Sequence, residues 1–389
     1  MTISITSVSN KELPIQYKAI TAVIDVDSLA FHVAAACEKA SISVTHKEEG
    51  WSKAFKTRTE FKGRTKKTIT GWLGEQNEQR VEQELPEWTP EDFLIEDVYE
   101  VEPIEFALYS MKRKLESVIE RCSAVMGTTD HILVMGSGDN HRHSLALPKR
   151  YKWNREDSRR PELLTEVRNY LRKKPKCVDV KGSNGTGIEA DDYIAALAYK
   201  GWKDWKKTGV FSYAAVCEDK DQLGNSGLAF NPRKEGDKWI HSEPVCVDGL
   251  GSLYKDEKGK VRGDGFAWLM FQSYGDKTDG YDINDFSDKR LNFGDVARLK
   301  TLETCTTPSE YLKAVYEGYK KVLGDTVKYT TWEGDEVEVD VIECIDMIFT
   351  CAYMLKSKND KTSFSGLCEK YGVDLSESVE DEETEGVEP

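Results

Sequence analysis

The chain has no apolar run long enough to cross a bilayer, no CxxC pair among its nine cysteines, and only six histidines. The first absence argues against a membrane protein. The second removes zinc ribbons and disulfide frameworks, and His131, His141 and His143 stand at no zinc spacing with cysteine. The N-terminus lacks the charged region, apolar stretch and cleavage site of a signal peptide. A reduced, cytosolic protein is the expectation. Gly182–Gly187 is glycine-rich but lacks the closing Lys-Ser/Thr pair of a P-loop, so it reads as a flexible lead-in to Glu189. No internal repeat is visible.

What remains is a chain of 389 residues, 39% apolar and 32% charged, long enough for one large domain or two. Its net charge of −15 seems to exclude nucleic acid as a partner, but the distribution matters more. Seven acids and no bases fall in the tail 375–389, which reads as disordered. By contrast, Arg142 to Lys176 holds twelve bases against four acids, a segment compatible with phosphate-backbone binding.

Four short acidic clusters punctuate the sequence: IDVD at 24–27, GIEADD at 187–192, CEDKD at 217–221 and GDKTDG at 275–280. The first and third end apolar runs that read as buried strands, and the second opens a stretch with helical spacing. Taken singly, acids and glycines in a turn, or acids at a helix start, need no function. Together they place Asp25, Glu189, Asp191, Asp192, Asp219, Asp221, Asp276 and Asp279 where like charges require cations, and oxygen donors suit Mg²⁺ or Mn²⁺. Between them lies Tyr151-Lys152-Trp153-Asn154-Arg155, followed by Arg159 and Arg160. Lys152 and Arg155 are suited to a phosphate, as a point charge and a planar fork respectively.

Strand signals at 21–27, 131–135, 177–180 and 212–217 alternate with helical patterns at 28–37, 105–126, 156–174 and 192–202. Ser28 has N-cap chemistry for the first of these helices. The alternation predicts an α/β fold with a mainly parallel central sheet, its site beyond the carboxyl ends of the strands. The expected organisation is an α/β core over 1–264, a helical C-terminal subdomain over 265–374, and the acidic tail. Within the core, 41–103 reads as an insertion and 142–176 as a basic arch. Residues 53–67 carry seven bases against one acid and read as a hairpin, either a solvated surface element or a contact for a phosphate backbone outside the site.

IDVDSLAF, YKWNR, GIEADD, CEDKD and GDKTDG, in this order over about 21–302, resemble the structure-specific 5′-nucleases or flap endonucleases. That family includes bacteriophage 5′→3′ exonucleases, phage ribonuclease H and the nuclease domain of bacterial DNA polymerase I. The resemblance implies a PIN-like nuclease core and a two-Mg²⁺ centre in which Mn²⁺ can substitute. It implies duplex DNA with a 5′ end or flap as substrate, or an RNA–DNA hybrid, in the cytoplasm (the host's, if phage-encoded). It makes Asp25 the N-terminal strand carboxylate and Asp139 that of the second strand. Glu189 and Asp191 would hold one ion with Asp192 beside them, and Asp219, Asp221, Asp276 and Asp279 the other. Lys152 and Arg155 become active-site cations, and Tyr151 an aromatic that stacks on a terminal base. Two departures stand out. Val26 follows Asp25 where the family often has glycine, and the region of the family's helix-hairpin-helix keeps one glycine, Gly294.

Overall fold

Residues 15–64, 70–155, 158–181, 187–287, 289 and 291–375 are described by a computed structural model. The tail beyond residue 375 and the glycine-rich stretch 182–186 lie outside the described residues. Among the described residues no helix is long and apolar enough to cross a membrane. None of the nine cysteines is in a disulfide.

Six strands form a mixed, mostly parallel sheet. Their order is Val245–Val247, Gly227–Phe230, Phe211–Val216, Ala19–Asp25, Asp130–Ser137 and Cys177–Lys181. Only Val245–Val247, at one edge, runs antiparallel to its neighbour. Ala22, Val23 and Ile24 are all buried, as in a strand covered on both faces, so the first strand reads as one apolar run. It lies in the middle because the chain first adds Asp130–Ser137 and Cys177–Lys181 on one side, then returns to pair Phe211–Val216 on the other. Strand order reverses there. Ile24 is opposite Val216, so Asp25 and the turn after Val216 emerge together at the carboxyl edge, where open α/β sheets form their crevice. The helix Ala190–Thr208 packs its Ile194, Ala195, Ala198 and Gly201 face against this sheet.

The C-terminal region is mainly helical: Gly265–Gln272, Asp295–Leu302, Pro308–Leu323, Val341–Ala352 and Phe364–Tyr371, with two antiparallel pairs among the described residues, Gly275–Asp276 with Tyr281–Asp282 and Thr326–Thr330 with Glu336–Asp340. Its apolar core takes in Leu147 and Tyr151.

Contacts divide the chain into two units, and the sheet and the C-terminal helices fall in the same one. The other comprises 29–114 and 160–170 and holds most of the segment read as inserted. It is built on an antiparallel sheet ordered Ser52–Phe55, Glu38–His46 and Phe93–Val101. Ile42, Val44 and His46 alternate inward at the two-residue period of a strand. They meet Phe55, Phe61, Leu73 and Phe93, with Trp51, Trp72 and Trp88 packed alongside. His46 stacks on Trp51 at 5.6 Å between ring centres, and Trp51 lies 5.7 Å from Trp72 and 5.8 Å from Trp88.

Three local expectations change. The basic hairpin ends at Phe55, and Phe61 belongs to a short helix, Arg58–Lys62, that buries it completely; 65–67 lie outside the described residues. Two of its bases are already engaged: Arg58 Nη2 donates to both Asp97 carboxylate oxygens at 2.9 Å, and Lys53 lies 4.8 Å above the Trp72 ring. The helix expected over 156–174 is confined to Leu164–Arg172, since Pro161 excludes a regular turn before it. The first helix begins at Asp27 rather than after Ser28. The Asp25 carboxylate accepts hydrogen bonds from the Asp27 amide and the Ser28 hydroxyl, both at 2.9 Å.

Candidate metal centre

The carboxyl edge of the sheet gathers all four acidic clusters. Asp25 ends the central strand. Glu189 caps the Ala190–Thr208 helix, with Asp191 and Asp192 in its first turn, where the macrodipole favours negative charge. Asp219 caps the Lys220–Gly224 turn by accepting from the Asp221 amide at 2.9 Å. Asp276 and Asp279 sit in a turn closed by the Asp279 amide on the Asp276 carbonyl at 3.2 Å.

That last turn is shaped by two glycines and a buried ion pair. Gly275, at φ +104°, passes so close to Tyr281 that a Cβ would lie 2.2 Å from its carbonyl oxygen. At Gly280, φ +77°, a Cβ would meet the Trp153 ring at 2.7 Å. Underneath, Arg298 donates to Asp282 at 2.6 Å, to the Gly275 carbonyl at 2.8 Å and to the Phe293 carbonyl at 3.1 Å. Both members of the pair are buried, so the guanidinium fixes both ends of the Gly275–Asp282 loop.

On this loop docks the Tyr151–Arg155 segment, 124 residues earlier in sequence. The Lys152 amide donates to the Asp279 carbonyl at 2.7 Å, Asn154 Nδ2 to the Thr278 carbonyl at 2.7 Å, and Arg155 to Asp279 Oδ1 at 3.1 Å. Lys152 adopts φ +57°, a conformation L-residues rarely take. Its ammonium stands 2.9 Å from Glu189 Oε1 and 3.9 Å from Asp279 Oδ2, a single cation between two clusters.

The electrostatics follow from this packing. Burial pushes the Asp25 carboxyl up to about 6, and the charges of Asp27 and Asp219 act in the same direction. Asp191 is raised well above the ordinary range by burial and by Asp219 and Asp25, with Lys152 opposing. Burial and the charge of Asp219 likewise raise Asp221, against Lys220. Asp219 is the neighbour all three share. Glu189 behaves oppositely. Burial pushes it up, but Lys152 and Arg142 outweigh that and hold it at about 2. Burial lowers the affinity of Lys152 for its proton, yet Glu189, Asp279 and Asp191 leave it above the usual value.

No family model, curated protein or solved structure matches the chain. The reading therefore rests on these residues alone. Their donor chemistry fits hard divalent cations: every candidate ligand is an oxygen, and the carboxyls of Asp25, Asp191 and Asp221 are disfavoured in their charged form by burial and by the charge of Asp219, which a bound cation would relieve. Among the described residues, no three His, Cys, Asp or Glu side chains are arranged to hold an ion together as they stand. Lys152, Lys220, Arg142 and Arg155 occupy several of the oxygens instead.

Three expected site residues are placed differently from the expectation. Asp192 is engaged at both oxygens by buried Arg142, at 2.8 and 2.9 Å, and accepts the Glu189 amide at 2.9 Å as well. It is a structural counter-charge. Asp139 is exposed, and the neighbouring Asn140 is the residue that reaches Glu189, at 2.7 Å. Tyr151 is 4% exposed, its ring 5.9 Å from Tyr281 and its hydroxyl 3.2 Å from Glu189, so it has no face free for a base. The exposed aromatic of that segment is Trp153, 45% accessible. Arg159 and Arg160 are exposed, and Gly294 caps the Asp295–Leu302 helix. Residues missed in the sequence are Asn140, Arg142, Gln272, which bonds Asp221, and Arg298. Nothing in their local pattern marks them, since each acts on a partner distant in sequence.

Proposed function

We propose that the chain is a Mg²⁺-dependent 5′→3′ exonuclease or flap endonuclease of the 5′-nuclease, PIN-like kind, leaving 5′-phosphates on DNA. The observation that carries the reading is the docking of Tyr151–Arg155 onto the Gly275–Gly280 turn. It sets two cations of phosphate-binding type against a convergent group of carboxylates.

Glu189 and Asp191 would hold one ion and Asp219, Asp221, Asp276 and Asp279 the other, with Asp25 beside them. When bound, such ions lower the pKa of water and stabilise charge on a leaving oxygen, and Mn²⁺ would serve as Mg²⁺ does. The protein's own part is positional. Lys152, drawn from Glu189 toward a phosphate, and Arg155, already half exposed, would neutralise charge developing on the phosphoryl oxygens. Trp153 offers a ring to an unpaired base, and Arg159 and Arg160 continue the positive run along the chain.

The decisive assay places a 5′-labelled flap, a blunt duplex, a nicked duplex and an RNA–DNA hybrid with wild type and Asp219→Asn in Mg²⁺. Cleavage by wild type that the variant loses is expected. Preference for the hybrid would redirect the reading to ribonuclease H activity on the same centre. No metal-dependent cleavage of any substrate would leave a binding protein and sink the proposal.

The two aromatics of the basic segment are expected to separate cleanly. Trp153→Ala should weaken single-stranded DNA binding by about 1–3 kcal/mol at unchanged melting temperature. Tyr151→Ala should cost about 3–5 kcal/mol of stability, as for other large buried rings. Fluorescence anisotropy and thermal melts read the two effects independently.

A further inference from the structure

We infer that Arg142 is a positioning residue for the acidic centre, and that through it the carboxyl end of the C-terminal helix Val341–Ala352 belongs to the centre's framework. The inference rests on the metal-centre reading above and deepens it.

The guanidinium is 1% exposed and all its donors are used. Nε donates to the carbonyls of Thr350 and Cys351, each at 3.2 Å. Nη2 donates to the Tyr353 carbonyl at 2.8 Å and to Asp192 Oδ1 at 2.8 Å. Nη1 donates to Asp192 Oδ2 at 2.9 Å and to Glu189 Oε2 at 3.2 Å. The last turn of a helix leaves carbonyls without intrahelical partners, and a buried cation is a favourable way to satisfy them. Arg142 does this for the C-terminal helix while its other edge orients the two acids that open Ala190–Thr208. The Leu355 amide closes the circuit by donating to Asp192 Oδ1 at 3.1 Å. Asn140, two residues before Arg142, holds the other oxygen of Glu189 and accepts the Arg142 amide at 2.8 Å.

Glu189 is thereby set in place from one loop, by a neutral donor on Oε1 and a charged one on Oε2. A lysine at position 142 keeps the charge but has neither the fork for Asp192 nor the reach to three carbonyls at once. Groups that orient metal ligands from behind typically change metal affinity by ten- to a hundredfold when removed.

The test compares Arg142→Lys and Asp192→Asn, which break the same fork from opposite sides. Binding of Mn²⁺ alone is measured by titration calorimetry, beside thermal melts and circular dichroism. Arg142→Lys is expected to weaken Mn²⁺ binding by about ten- to a hundredfold, and Asp192→Asn by less, because the guanidinium stays beside Glu189. A folded variant of either kind with Mn²⁺ affinity within about twofold of wild type overturns the inference, whatever its melting temperature. Asp192→Asn weakening binding more than Arg142→Lys overturns it in favour of direct ligation by Asp192. A wild type that binds no Mn²⁺ removes the metal-centre reading itself, and is thereby distinguished from the other two results.

Discussion

Asp191→Asn is expected to raise the melting temperature of the metal-free protein and to abolish Mg²⁺-dependent cleavage. The two effects have one origin. The Asp191 carboxyl is buried among Asp219, Asp25 and Glu189, whose charges outweigh the opposing ammonium of Lys152, so its charged form is disfavoured in the fold. Asparagine keeps the shape and removes the repulsion, and it also removes a ligand a divalent cation would need. The pH dependence of the metal-free protein carries the same signature. Asp25 has its folded pKa raised from 3.8 to about 6, so its contribution to stability is complete below the unfolded value and lost as pH rises through about 6. That loss amounts to about 3 kcal/mol by neutral pH. Glu189, lowered from 4.5 to about 2, has the opposite sign: its contribution is present above 4.5 and lost as pH falls toward about 2. Melting temperatures in a chelator should therefore decline from pH about 4 to about 7, and Mg²⁺ should remove the decline. A flat profile without metal, or a lower melting temperature for Asp191→Asn, would contradict the proposed crowding of charge.

The second large effect lies beneath the Gly275–Asp282 turn. Arg298→Met leaves Asp282 buried without its cation, a change of the kind that costs about 3–5 kcal/mol. It also releases the Gly275 carbonyl and with it the turn bearing Asp276 and Asp279. Both melting temperature and cleavage should fall. The paired change Arg298→Met with Asp282→Leu should recover most of the stability, because apolar replacement of a buried ion pair is often neutral. Cleavage should stay low, since the Arg298 donor to the Gly275 carbonyl is gone. If the paired variant regained full activity, the clamp would have no role in placing the turn.

The frame and the ends of the strands were legible because they depend on local pattern. An apolar run stopped by a carboxylate marks the end of a buried strand, and Asp25 and the Cys217–Asp221 turn lie where that pattern put them. What was not legible depends on partners remote in sequence. Asp192 looked like one more ligand because its counter-ion is 50 residues away, inside a basic stretch that read as a phosphate surface. Tyr151 looked available for stacking because the ring that covers it belongs to Tyr281. The helix at Leu164–Arg172 is shorter than the charged, periodic stretch 156–174 because Pro161 interrupts it. In the antiparallel unit, Phe61 continued an alternating pattern in sequence that a short helix interrupts.

The tryptophans of that unit have a spectroscopic consequence. Trp51, Trp72 and Trp88 lie within 5.7 to 6.3 Å of one another, and they are the three indoles that segment contributes. Rings so near should couple electronically and give the unit an excitonic signature in near-ultraviolet dichroism. Loss of that band reports on the antiparallel sheet by itself, an optical probe requiring no label.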